Sequence, residues 1–245
     1  MRKGIKVISI FAILMLYFNI SCSRNDISIN KEKAKTKFSE AVSRLTKLGG
    51  IASFEAPVNQ SPFPNKDKNL TADQINQILT EVIKDLKEAA NLDPNLKETY
   101  YYLGIAYTRL QKTEKAIKAL EKSIKVEPAR ELSYIILCNL LWDRENYETA
   151  YRIASEYLKQ FPDHKIKGLL LIGTNYYKQG MFKSAIEKGK EIVFMDKGSI
   201  EGHLLLATSY YYLNDKNSSE AEFRKIIEID PKLTHTIEKL KKRLK

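Results

Sequence analysis

Residues 100–107 read Tyr-Tyr-Tyr-Leu-Gly-Ile-Ala-Tyr, and the prediction of the fold begins from this segment. Its centre places a large apolar residue, Leu103, before a small one, Gly104, with aromatic residues on both sides. A residue without a side chain lets a second helix approach closely, and a large neighbour fills the space beside the crossing. We therefore expect residues 100–107 to belong to the first helix of a tightly packed helical hairpin.

The prolines indicate that this hairpin is repeated. Pro94, Pro128 and Pro162 follow one another at intervals of 34 residues, and Pro231 comes after a further 69, which is 34 plus 35. Lys197 stands at the missing intermediate position. Proline ends a helix because its ring cannot continue the hydrogen-bond ladder and restricts the residue before it. A regular spacing of helix ends predicts a stack of repeats, each of which is one hairpin.

The pair of a large and a small residue recurs in register in the following repeats. It appears as Leu137-Cys138, Ile172-Gly173 and Leu206-Ala207. Together with the aromatic positions and the prolines, the pattern resembles the tetratricopeptide repeat (TPR), in units at residues 97–130, 131–164, 166–199 and 200–233, with the four units covering residues 97–231. The resemblance implies an all-α fold, a right-handed TPR superhelix or α-solenoid of helix-turn-helix repeats.

Helical patterns also flank the four units. Apolar residues at helical spacing predict helices at residues 31–48 and 71–92, the second with Thr71 as its N-cap, and together they form a degenerate first repeat over residues 31–96. The loop at residues 51–70 is either a binding element or a surface excursion. Residues 232–245 predict a C-terminal helix that caps the solenoid, although a basic amphipathic helix also suits a membrane surface.

The first residues have the three parts of an export signal. Basic residues precede an apolar run at residues 7–20, which is short for a membrane-spanning helix, and Ser21 and Cys22 follow. The junction resembles a bacterial lipobox, with Asn19 in place of the commonest Leu. We therefore predict a lipoprotein signal peptide at residues 1–21, lipid attachment at Cys22 and a tether at residues 22–30. An uncleaved anchor helix is the alternative.

The charge pattern argues against nucleic acid as a partner. The formal net charge of +11 suits nucleic acid, an anionic membrane or an acidic protein. However, Lys and Glu alternate along the helices, and no Arg-rich cluster with interleaved aromatic residues occurs. We expect no nucleic acid and no small-molecule substrate.

No arrangement of residues predicts catalysis. His164, His203 and His235 fall outside any metal-binding or nucleophile motif, and no glycine-rich phosphate loop occurs. Cys138 is the only cysteine besides Cys22, so no zinc site can be built on cysteines. We predict no enzymatic activity, no cofactor and no metal site.

The resemblance also implies a binding surface, because the first helices of successive tetratricopeptide repeats line a concave groove that holds a peptide. Mapped onto this sequence, the predicted peptide-binding residues are Tyr101, Ile105, Arg109, Asn139, Trp142, Thr174, Tyr177, Lys178, Thr208 and Tyr211. The same strip also includes Thr108, Ile135, Leu170, Leu204 and Tyr212. Some of these side chains could instead pack between repeats. We expect Trp142 to act as a binding aromatic whose loss weakens affinity more than stability.

These features predict an adaptor in the bacterial cell envelope. It would be anchored to the membrane through the N-terminal lipid, on the periplasmic side or at the cell surface, and would bind a protein or peptide partner through the concave groove. The alternative is a surface-exposed lipoprotein that contacts host molecules. The repeats that grip chaperone C-termini require a Lys where this chain has Tyr101, so we do not expect that class of partner.

Overall fold

The computed structural model describes the backbone of residues 7–48 and 70–244, and the side chains of residues 27–48 and 70–244. The predicted signal peptide, the Cys22 side chain and all of the 51–70 loop except Leu70 lie outside the described side chains. The α-helices are α1 (Val7–Lys47), α2 (Ala72–Leu92), α3 (Thr99–Arg109), α4 (Thr113–Val126), α5 (Glu131–Asp143), α6 (Tyr147–Gln160), α7 (Lys165–Lys178), α8 (Phe182–Met195), α9 (Ile200–Tyr212), α10 (Lys216–Ile229) and α11 (Thr234–Leu244).

The regular elements of the described residues are all helical, which confirms the all-α fold. Two short 3-10 helices, Pro162–His164 and Pro231–Leu233, complete them. Each of the pairs α3–α4, α5–α6, α7–α8 and α9–α10 lies within one of the four predicted units, except that α7 begins at Lys165, one residue before its unit. No helix of the described residues combines the length and the apolar character needed to cross a membrane.

The chain divides into two compact units, Met1–Ser123 and Ile124–Lys245. In the first unit, α1 packs along α2 through small and aliphatic side chains that are fully buried. Asp85 of α2 is buried among them and accepts hydrogen bonds from Lys37 and Arg44 of α1. A buried carboxylate without partners would cost several kcal/mol, roughly 3–5. The two cations therefore fix which faces of α1 and α2 meet.

The sequence predicted where α2 begins but not where α1 begins. Thr71 caps α2, since its hydroxyl accepts from the Gln74 backbone while the Gln74 side chain accepts from the Thr71 backbone. This confirms the predicted N-cap. By contrast, α1 begins at Val7, well before the predicted Lys31, because residues 7–47 contain no glycine or proline to interrupt it.

The turn inside each hairpin repeats with the period of the prolines. One residue per turn has a positive φ, and these residues are Gln111, Glu145, Gly180 and Asn214, at intervals of 34, 35 and 34 residues. In each turn a backbone N–H also reaches back five residues to a carbonyl, at distances of 2.8 to 3.0 Å. The four hairpins therefore share one backbone turn although only one of the four uses glycine.

The helix crossings explain the recurrent small residues. A Cβ atom added at Gly104 would lie 2.6 Å from the Leu120 side chain, and one added at Gly173 would lie 2.5 Å from Leu205. Both distances are shorter than side-chain packing allows. At the equivalent place Cys138 is fully buried and burial raises the pKa of its thiol to about 12. The crossings therefore tolerate only small side chains.

The last helix covers the apolar end of the second unit. Ile237 of α11 is buried against Ala207 of α9 and against Phe223 and Ile226 of α10. Basic residues occupy the last turn of α11 and stay at the surface. A stack of repeats needs such a terminal helix, because its last hairpin would otherwise leave its apolar face in water.

Candidate partner-binding surface

The first helix of the first repeat does not present its predicted residues to a partner. Tyr101 is 1% exposed and Ile105 is fully buried. The Tyr101 ring packs edge-on against Tyr102 at 5.0 Å, and Tyr102 packs in turn against Phe38 of α1 at 5.4 Å. The prediction that Tyr101 and Ile105 contact a peptide is therefore wrong. The long helix α1 supplies side chains to this side of α3 and takes the place that a partner would need.

Arg109 likewise has a structural role. Its Nη2 group donates to the carbonyl oxygen of Leu48 at 3.1 Å, and burial lowers the pKa of its guanidinium. Leu48 follows the last residue of α1, where carbonyl groups lack helical partners. Arg109 therefore joins α3 to the end of α1, which corrects its predicted role in binding.

Two more of the predicted peptide-binding residues, Trp142 and Thr208, are buried within the second unit. Trp142 is 8% exposed, and its Nε1–H donates to the Oδ1 atom of the buried Asn175 at 2.9 Å. Thr208 is also buried, and its hydroxyl donates to the carbonyl of Leu204 at 2.8 Å. The prediction that Trp142 and Thr208 face a partner is wrong. The indole instead links α5 to α7 and satisfies an amide that would otherwise lie unpaired in the core.

The remaining predicted residues keep accessible surface. Asn139 and Lys178 are exposed, whereas Thr174 and Tyr177 are half-buried. Tyr211 is half-buried as well, and its hydroxyl donates to the carbonyl of Leu244 near the end of α11. The accessible part of the predicted strip therefore lies mainly on α7 and α9.

Four aromatic rings meet where α7, α8 and α9 come together, and we call them the α7–α9 aromatic cluster: Tyr177, Phe182, Tyr211 and Tyr212. The Phe182 and Tyr212 rings are stacked, with centroids 4.9 Å apart and planes 7° from parallel. Tyr177 packs edge-on against both rings at 5.8 Å. Tyr211 packs edge-on against Tyr212 at 5.7 Å. Each ring is therefore held in place by at least one other.

The rings of this cluster pack against one another, but the cluster is not closed to solvent. Tyr212 remains 51% exposed, and the neighbouring Met181 and Leu213 are also exposed. Burial, with Tyr212 close by, raises the pKa of Tyr177 to about 12. Its phenol therefore stays protonated at neutral pH and remains a hydrogen-bond donor. The arrangement offers aromatic area with hydroxyl groups at its edge and the ammonium group of Lys178 beside it.

Phe182 belongs to the cluster but not to the predicted strip. It is the first residue of α8, a second helix, whereas the prediction considered only the first helices of the repeats. The turn around Gly180, which has φ +78°, reverses the chain and returns Phe182 to the end of α7. The sequence signal that could have identified Phe182 is an aromatic residue two positions after the glycine of the turn.

The ionisable side chains around Glu131 form a cluster that is explained by contacts within the protein. Glu131 accepts hydrogen bonds from Tyr157, Lys167 and His164. Burial alone would raise the pKa of Glu131, but these three donors together lower it. In the part of the chain that the structure describes, no three potential metal ligands lie close together.

Comparisons with known proteins agree with this architecture. The family model of the tetratricopeptide repeat matches residues 97–130 and again residues 200–233. A solved structure of MamA, residues 41 to the end, from Desulfovibrio magneticus RS-1 is 21% identical, with a TM-score of 0.55 over 66% of this chain and 94% of that one. The crystal structure of YrrB, described as a TPR protein with an unusual peptide-binding site, is 18% identical, with a TM-score of 0.53 over 70% of this chain and 86% of that one.

The repeat matches and the fold agree with each other. Two segments of the chain match the tetratricopeptide repeat, and the helical hairpins have the fold of the solved structures that are similar to it. No curated protein sequence matches it. At these levels of identity the solved structures establish the fold alone.

Proposed function

We propose that this chain is a membrane-anchored adaptor that binds a protein or peptide partner through the α7–α9 aromatic cluster. The observation that carries the proposal is Tyr212, which stays 51% exposed although three other rings hold it in place. Binding hot spots are enriched in tyrosine and tryptophan, because a ring that is already ordered loses little entropy on binding. The cluster therefore offers an ordered and accessible aromatic surface of the kind at which proteins and peptides bind.

Polar groups beside the cluster suit an extended peptide. Thr174 and Lys178 lie on α7 next to Tyr177, and the exposed amide of Asn139 lies on α5. An amide and a hydroxyl can pair with a peptide backbone, and the ammonium can pair with a carboxylate. Peptide binding by YrrB supports the same use of the fold. We propose no catalytic activity for this surface.

Site-specific photocrosslinking tests this surface. A photoreactive phenylalanine analogue replaces Tyr212 in one strain and Tyr151 in another. Tyr151 is a suitable control because it is also an exposed tyrosine but lies on α6, a second helix. We expect a discrete covalent adduct from position 212 and none of the same mass from position 151. Adducts at 151 alone would contradict the proposal.

The membrane anchor is the second part of the proposal. The charged start, the apolar run and the Ser21-Cys22 junction support export to the bacterial cell envelope and lipid attachment at Cys22. Several acyl chains on one residue hold a protein at a membrane, whereas a single chain does so only marginally.

Fatty-acid labelling tests the anchor. Wild-type protein should incorporate labelled fatty acid, and Cys22→Ala should not. Loss of the label should release the variant from the membrane or leave its signal uncleaved. A wild-type protein without label would contradict the anchor but leave the crosslinking result intact. Protease treatment of intact cells then distinguishes a periplasmic adaptor from one that contacts host molecules at the surface.

A further inference from the structure

A second groove lies on the other side of the last two repeats, between their second helices. It is lined by α8, α9 and α10 and has a volume of about 650 Å³. Its apolar wall includes Val193 and Leu206, and Phe194 and Ile229 stand at its edges. This groove shares no residue with the α7–α9 aromatic cluster.

Phe194 is the unusual residue of this groove, because it is 88% exposed. It stands three residues before the position at which most repeats have proline. At the equivalent place the other hairpins have Asn91, Lys125, Lys159 and Glu228, and all four are polar and exposed. The fold therefore does not require an apolar residue here. A phenylalanine ring in water beside the exposed Ile229 leaves an apolar patch that a bound chain could cover.

The charges around the groove indicate the kind of chain. Lys190 lies one turn before Phe194, and Lys197 lies three residues after it. Among the described residues neither ammonium group has an ion-pair partner. Phe194 is thus flanked by two cations that are free to meet carboxylates.

The acidic residues of the groove do not cancel these cations. Glu222 is already engaged, since it accepts from Lys225 at 2.9 Å and bonds the His203 ring at 2.5 Å. Glu228 is the other carboxylate of the lining, and it lies on α10, whereas Lys190 lies on α8. Around Phe194 the lining therefore presents two lysines and no carboxylate. Asp196, next to Lys197, is outside the lining and accepts from the backbone of Gly198.

We propose that this groove binds an acidic peptide segment of a partner protein. A large apolar side chain of that segment would enter beside Phe194, Val193 and Ile229, and carboxylates on either side of it would pair with Lys190 and Lys197. Charge complementarity of this kind speeds association and selects against basic segments. The chain would then hold two partners, one on each side of its last repeats.

Selection from a random peptide library displayed on phage tests the proposal with the full chain in detergent. Peptides are selected on the wild-type protein and depleted on Phe194→Ser. Because Phe194 is almost fully exposed, this variant should keep the wild-type helical spectrum and melting temperature. We expect the remaining peptides to place Asp or Glu beside a large apolar residue.

Fluorescence anisotropy with the most enriched peptide then separates the two contributions. Phe194→Ser and the double variant Lys190→Glu, Lys197→Glu should each weaken binding at least about tenfold, and added salt should weaken wild-type binding. The matched control is Lys183→Glu, Lys216→Glu, which reverses two exposed lysines of α8 and α10 that lie outside the groove. It should stay within about twofold of wild type, as should Tyr212→Ala.

Three results would overturn the proposal. The first is a selection that yields no peptide sensitive to Phe194→Ser, or only peptides without Asp or Glu. The second is a wild-type dimer in sedimentation equilibrium that Phe194→Ser dissociates, which would make a second copy the occupant. The third is binding to phosphatidylglycerol vesicles that Phe194→Ser abolishes, which would make the occupant a lipid surface.

Discussion

Helices α3 and α7 occupy equivalent places in their repeats but use equivalent residues differently. Arg109 of α3 donates to the backbone of Leu48, whereas the equivalent Lys178 of α7 is exposed. Ile105 is fully buried, whereas the equivalent Thr174 is only half-buried. The period of the sequence fixes which way these residues point. Whether the position is open depends on what packs there, and in α3 the neighbour is α1.

In helix α5 a predicted binding residue is buried for a second reason. Trp142 is equivalent to Tyr177, yet it bonds Asn175 of the next repeat and is buried. Tyr177 contributes to a cluster whose outer ring stays exposed. Accessible surface is therefore left on α7 and α9, where the chain has not used these positions for its own packing.

The largest predicted effect separates structural aromatics from binding aromatics. Trp142→Ala should lower the free energy of unfolding by about 3–5 kcal/mol, because it leaves a cavity and an unpaired amide on Asn175. Tyr212→Ala should cost less than about 1 kcal/mol, because half of that ring is already in water. Denaturant unfolding of the two variants measures both values. Equal losses would remove the distinction between α5 and α9.

Gly104 and Gly173 occupy equivalent positions, but Gly104 packs against Leu120 of its own hairpin and Gly173 against Leu205 of the next repeat. Gly104→Leu and Gly173→Leu should each destabilise the protein by at least about 1–3 kcal/mol, since even a Cβ atom at either place meets a leucine side chain. Thermal melts of both variants check this. No loss at one of the two positions would show that its leucine neighbour moves aside, and would contradict a tight crossing there.

Arg109→Ala and Lys178→Ala test the equivalent cations directly. Removal of Arg109 should cost about 1.5 kcal/mol, because its hydrogen bond to the Leu48 carbonyl is partly buried. Removal of Lys178 should change stability by less than about 0.5 kcal/mol, because it is exposed. Chemical denaturation distinguishes the two. A neutral Arg109→Ala would show that α1 does not depend on this contact.

The smallest predicted effects concern the repeat turns. Gly180→Ala should destabilise by about 1 kcal/mol, because φ at this position is positive. Glu145→Gly should be neutral or stabilising by a few tenths of a kcal/mol, because it relieves the same conformation in the preceding repeat. Melting temperatures of the pair would check the sign of each. A shift in the same direction for both would contradict a shared turn geometry.

Much of the fold could be predicted from local pattern. The proline spacing and the small residues at Gly104, Cys138 and Gly173 gave the hairpins, because helix ends and crossings depend on residues close in sequence. The period also predicted the face of its helix on which each residue lies. The fold and the helix face of each residue can therefore be predicted from a single sequence when the repeat is regular.

The repeat pattern could not predict whether each predicted site residue is exposed or buried. Arg109 meets Leu48 across 61 residues, and no repeat pattern relates the two. Trp142 meets Asn175 across 33 residues, in a pairing that its unit alone does not specify. Such contacts depend on side-chain shape in three dimensions. Contacts of this kind gave Arg109 and Trp142 structural roles, and burial did the same for Tyr101, Ile105 and Thr208.

The most direct test of the account is the affinity of Tyr212→Ala for the partner captured by crosslinking at position 212. The account predicts binding at least about tenfold weaker than wild type, with a loss of stability below about 1 kcal/mol, because about half of the side chain is in water and accessible to a partner. Tyr151→Ala, which removes an exposed ring on α6, should bind like wild type. Wild-type affinity of Tyr212→Ala, or an equal loss in Tyr151→Ala, would contradict the claim that the partner binds at α7 and α9.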